Sequence, residues 1–134
     1  MLLQINLEAE EPIYMQIRNQ VIEGIAKGEF SPGEKLPSVR SLAADIGINF
    51  HTVNKAYQLL AREGLIEIHR KQGVSIPLEG VQAADATYLH ALNQKLRPIV
   101  AEAIARSVSE QSFMQECKLL YHELQADKQG KEAR

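Results

Sequence analysis

One cysteine, no long apolar run and no surplus of positive charge are found in 134 residues, and each shortage excludes a class of function. A lone Cys117 cannot close an intramolecular disulfide, and its place among helical apolar positions reads as packing. A bilayer span needs about 20 consecutive apolar residues, and no stretch supplies them. The start MLLQINLEAEEP has neither a basic n-region nor an apolar h-region, so a cytoplasmic protein with no membrane association is expected. His51, His69, His90 and His122 show no ligand spacing, and Cys117 with His122 falls at i, i+5, off one helix face, so no metal is expected. No phosphate-binding loop, no dinucleotide fingerprint and no nucleophile with a convergent base occurs, which leaves no enzyme chemistry and no cofactor to expect.

The formal net charge of -2 argues mildly against a nucleic-acid partner, but affinity for phosphate depends on the cations that face it. Between Lys35 and Ile76 the cations are Lys35, Arg40, Lys55, Arg62, Arg70 and Lys71, against Asp45, Glu63 and Glu67 alone. The acidic excess lies outside that window.

The patterning inside the window is specific. Pro12 suits a first helical position, and Ile13, Ile17, Val21 and Ile25 repeat every four residues until Gly28. Ser31-Pro32-Gly33 marks a turn. Ser38 is a good N-cap for a second helix with Val39, Leu42, Ala43 and Ile46 inward, stopped at Gly47. Ile48 and Asn49 then separate it from a third helix, capped by Asn49 and ended at Gly64, with Val53, Ala56, Tyr57 and Leu60 on one side and His51, Lys55, Gln58 and Arg62 on the other. Two helices joined by so tight a turn form a helix-turn-helix. LIEIH and VSIP alternate apolar and polar residues around RKQG, which predicts a two-stranded hairpin with a basic tip.

Beyond Pro77 the character changes to amphipathic helix. Leu89, Leu92, Leu96, Ile99, Ala103, Ile104 and Val108 keep three-four spacing, interrupted at Pro98, which would kink the helix or start a new segment. Ser109 can cap a last helix carrying Phe113, Met114, Cys117, Leu120, Tyr121 and Leu124 inward, before the polar tail ADKQGKEAR frays. So short a piece lacks a core of its own, and its stripe is expected to bury against a second copy, chiefly through Leu89, Leu92, Leu96, Ile99, Val100, Ala103, Ile104, Phe113 and Leu120.

In a helix-turn-helix the N-terminal residues of the second helix lie nearest the base edges, where His51, Thr52, Asn54 and Lys55 fall. Asn54 can pair with adenine N6 and N7, Lys55 and His51 can donate to guanine or phosphate, and the Thr52 hydroxyl with free first-turn N–H groups can hold a phosphate. Phe50 reads as a staple against Val53 and Tyr57 in preference to a thymine-methyl contact. Ser38 and Arg40 stand where the preceding helix crosses the backbone, and Arg70, Lys71, Gln72 and Gly73 form a wing for the minor groove or nearby phosphates. Arg62 lies too far along its helix to reach. The same residues also fit two other readings, a winged-helix protein interaction module and an architectural binder without base preference.

The run LPSVRSLAADIGINFHTVNKAYQLLAREGLIEIHRKQG resembles the N-terminal domain of the GntR family of bacterial transcription regulators, with Leu-Pro-Ser-x-Arg-x-Leu-Ala, a Gly turn, Thr-Val-x-x-Ala-Tyr-x-x-Leu and Glu-Gly-Leu-Ile all present. The short helical tail resembles the YtrA-type subfamily. The resemblance implies a dimeric repressor of a near-palindromic operator, touched by Arg40, the start of the third helix and Gly73, and it implies target genes among ABC transporter operons. Two departures stand out. Phe50 and Asn54 occupy positions where many members carry Arg, and the wing Arg70-Lys71-Gln72-Gly73-Val74-Ser75 lacks one glycine and the aromatic residue of the subfamily pattern.

The expected architecture is thus α+β, mainly α: a winged helix-turn-helix over residues 1–78, then a two-helix dimerisation region over 79–134. The expected partners are double-stranded operator DNA and a second copy of the chain. The tail is too short for a separate ligand domain, so a small-molecule effector would use the dimer interface or a cleft beside the DNA-binding domain.

Overall fold

The computed structural model describes residues 3–132, with side chains as far as Ala126. The elements are α1 (Ile13–Ala26), β1 (Lys35–Leu36), α2 (Val39–Ile46), α3 (Phe50–Arg62), β2 (Glu67–His69), β3 (Gly73–Ser75), α4 (Ala86–Ala105) and α5 (Glu110–Glu132). They form two compact units, one up to Gln82 and one from Ala83 on.

In the first unit α3 packs against both α1 and α2. Its inner face is the row Val53, Ala56, Tyr57 and Leu60, each fully buried, and it meets Ile17 and Val21 of α1 and Leu42 of α2. Burying side chains of this size stabilises the fold by about 1.5–3 kcal/mol each before entropy is counted. Tyr57 does more than fill space: its hydroxyl donates to the Pro37 carbonyl at 2.8 Å. That bond ties α3 to the residue just before the Ser38 cap, so the core sets where α2 begins. Burial pushes the Tyr57 hydroxyl well above its ordinary pKa.

The ends of α2 and α3 follow local chemistry. Ser38 Oγ accepts from the Ser41 N–H, and Gly47 closes α2 at φ +67, a conformation that costs a residue with a Cβ about 1 kcal/mol or more. Asn49 Oδ1 accepts from the His51 N–H at 2.7 Å, which starts α3 only two residues later. Arg18 of α1 adds a two-pronged ion pair to Glu63 at the C-terminal end of α3, at 2.6 and 2.7 Å.

Several sequence readings need correction. Pro12 has ψ 147, outside helical geometry, and caps α1 instead of opening it. The sheet has three strands, ordered β1-β3-β2 and antiparallel throughout, because Lys35 and Leu36 pair with Ser75 and Val74 on the side of β3 away from β2. Pro98 lies inside the single helix α4. It removes the donor that would serve the Gln94 carbonyl, but both residues are exposed and water can take that place. Most of the polar tail is helical, since α5 continues to Glu132; residues 133–134 of that tail lie outside the described residues.

The second unit contrasts with the first. No residue of α4 and no described residue of α5 is buried. Ala103, Phe113, Cys117 and Leu124 are half-buried, whereas Leu89, Leu96, Ile99, Val100, Ile104, Met114, Leu120 and Tyr121 are exposed.

Candidate nucleic-acid interface

The core that buries one side of α3 leaves its other side in solvent. His51, Lys55, Gln58 and Arg62 are all exposed, and Thr52 and Asn54 are half-buried at the margin of that face. Arg40 of α2 joins them, because its guanidinium carbon lies 5.3 Å from the centre of the Phe50 ring. The structure therefore brings Arg40, Phe50 and His51 together at the N-terminal end of α3, with His51 edge-on to Phe50 at 5.6 Å between ring centres. The guanidinium and imidazole so arranged offer hydrogen-bond donors for guanine or phosphate, and the Asn54 amide on the same helix offers a bidentate partner for adenine.

Three details differ from the sequence reading. Phe50 is 39 % exposed and its ring lies against the Arg40 guanidinium, so more than a third of it stays open to solvent. Its ring neighbours are the Arg40 guanidinium, in a cation–π contact, and His51. The first-turn amides are also less free than expected. Asn49 takes the N–H groups of His51, Thr52 and Val53 through its side chain and carbonyl, leaving phosphate contacts on this helix chiefly to side chains. Finally, the Lys55 ammonium lies 4.0 Å above the Tyr14 ring of α1, so its charge has a partner there in the free protein. Sequence periodicity contains no signal for that pairing, which depends on how α1 crosses α3.

Ser38 is exposed, with its hydroxyl oxygen engaged as the α2 cap. The wing residues Arg70, Lys71 and Gln72 project between β2 and β3 and are exposed, and Gly73 sits at φ +81, where a side chain would be strained. Its register is fixed by the pairing of His69 with Gly73 and Ile68 with Val74. His69 turns to Glu67, 3.2 Å away, and is strand surface. The predicted contact residues thus fall in two clusters, one at the start of α3 with Arg40 and one at the hairpin tip. Among the described residues no group of three or more His, Cys, Asp or Glu is placed to hold a metal ion, and no helix is long and apolar enough to cross a membrane.

Comparison with known proteins agrees with this geometry. Residues 13–76 match the family model described as bacterial regulatory proteins, gntR family. The chain is 38 % identical over 102 residues to the HTH-type transcriptional repressor YtrA of Bacillus subtilis, covering 76 % of this chain and 78 % of the relative. Among solved structures it is similar to a transcriptional antiterminator from Listeria monocytogenes, with a TM-score of 0.85 at 27 % identity over 92 % of both chains. It is also similar to YtrA from Sulfolobus acidocaldarius, a GntR-family transcription factor, with a TM-score of 0.55 at 38 % identity over 90 % of this chain and 97 % of the other. These relatives set aside both an enzyme and a bare protein-interaction module. The chain belongs to the GntR family of bacterial regulatory proteins, DNA-binding transcription regulators with a winged helix-turn-helix.

Proposed function

We propose that this regulator is a homodimeric repressor that reads a near-palindromic operator. The observation that carries the reading is the pairing of a unit with a closed core and a second unit whose large apolar residues, among those described, are exposed or half-buried. Exposed Leu89, Leu96, Ile99, Val100, Ile104 and Leu120, together with half-buried Leu92, Ala103 and Phe113, form the surface that a second copy buries. A dyad there presents two copies of α3 to successive major-groove faces, about 10 base pairs apart. Within each half-site Asn54 and His51 read base edges. Ser38, Arg40, Thr52 and Lys55 hold the backbone, and Arg70, Lys71, Gln72 and Gly73 reach from the wing toward the minor groove or its phosphates.

Repression is the outcome that the YtrA likeness supports, and transporter operons are the target genes implied by the resemblance to that subfamily. Such a protein works on the chromosome, in the cytoplasm. An effector, where one acts, binds at the dimer surface or beside the reading unit and shifts the two wings relative to each other.

Selection of bound duplexes from a random library tests the reading. A two-fold symmetric motif is expected to be enriched. Enrichment of a single unpaired half-site contradicts the dimer, and tight, salt-dependent binding with no enrichment leaves an architectural binder.

A further inference from the structure

Phe50 is the one large apolar side chain at the reading end of α3, and the structure gives it no place in the core. It follows the Asn49 cap directly, is 39 % exposed, and is bracketed by the Arg40 guanidinium at 5.3 Å and the His51 ring at 5.6 Å. With more than a third of its surface open to water, the ring keeps apolar area that a complex can bury. Its neighbours, in contrast, are the groups that seek phosphate and base edges, so the ring travels with them to the duplex.

The edges of the base pairs in the major groove carry donors, acceptors and one apolar group, the 5-methyl of thymine. An aromatic ring pressed on N7, O6 or N4 strips water from a polar group and returns no hydrogen bond. Against a methyl the same ring removes apolar surface from water on both sides. We infer that Phe50 is a specificity-determining residue of this regulator, selecting a thymine in each half-site by contact with its 5-methyl group, with Arg40 stacked on the ring and aimed at the flanking phosphate. The inference rests on the DNA-reading assignment of α3. It adds a residue to that assignment and gives it a chemical target.

Uracil replaces thymine with loss of the methyl alone, leaving pairing and every groove donor and acceptor in place. In the duplex obtained by selection, each thymine is exchanged singly for uracil and binding is measured with the full-length protein and with Phe50→Ala and Phe50→Leu. One uracil position per half-site is expected to weaken the unmodified protein about threefold to fivefold, the effect of exposing one buried methyl. Phe50→Ala should bind the thymine and uracil duplexes equally, a ratio that a modest loss of stability from the part-buried ring leaves unaltered, while Phe50→Leu keeps part of the discrimination. Indifference to uracil at every position overturns the inference while leaving the DNA-reading assignment intact. Sensitivity that persists unchanged in Phe50→Ala overturns it as well, because another group then touches the methyl. A protein that selects no duplex overturns both readings together.

Discussion

The two units place their apolar residues differently. Every buried hydrophobic residue among those described lies at or before Ile76, whereas Leu89, Ile99, Ile104 and Leu120 are each more than half exposed. The first unit has α1, α2 and a three-stranded sheet to close over α3, so its apolar face is satisfied within the chain. The second has, among the described residues, two helices and no sheet, and an apolar stripe on such helices is stable only against another surface. Patterns of similar periodicity in the sequence therefore mean opposite things: a completed core in one unit, an open face in the other.

Charging the open face should produce the largest effect. Leu96→Asp combined with Ile99→Asp is expected to leave the reading unit folded but to lower operator affinity about 100- to 10,000-fold, because the second half-site contact ceases to be intramolecular. Titration of labelled operator measures this, and affinity within a few-fold of the unmodified protein would break the contrast between the units. Truncating one core residue sharpens it from the other side. Leu60→Ala should cost the first unit about 2–5 kcal/mol in denaturant unfolding, since Leu60 is fully buried and leaves a cavity. A loss below about 1 kcal/mol would mean that this core is looser than its packing indicates.

The smallest effect concerns Tyr57. Tyr57→Phe strands the Pro37 carbonyl and should cost about 1–2 kcal/mol. Burial raises the folded-state pKa of this hydroxyl above its unfolded value, so the stability it contributes is complete below about pH 10 and is lost as pH rises further. Unfolding midpoints followed from neutral to alkaline pH should fall for the unmodified protein above that point and fall less for Tyr57→Phe. Parallel curves would show that another group governs alkaline unfolding.

What was legible in the sequence was whatever local chemistry decides. Ser38, Asn49 and Gly47 mark helix ends because capping acts within three or four residues, and the wing followed from alternation on either side of a basic turn. What was not legible depends on distant partners. Lys35 and Leu36 are too few to show a period, and they become a strand only because Val74 and Ser75 offer an open edge. Phe50 has the spacing of a packing residue, yet it is 39 % exposed and its ring meets Arg40 on another helix. Lys55 is cationic and outward-facing as expected, yet its resting place over Tyr14 follows from the packing of α1 on α3. The helix α3 and its exposed face were readable; the arrangement of side chains on it was not.

The division of labour between the units is tested most directly by sedimentation of the full chain beside a chain ending at Gln82. The full chain is expected to run at twice the mass of one chain, and the shorter one to be a folded monomer. A shorter chain that still dimerises, or a full chain that stays monomeric at concentrations where it binds its operator, would contradict it.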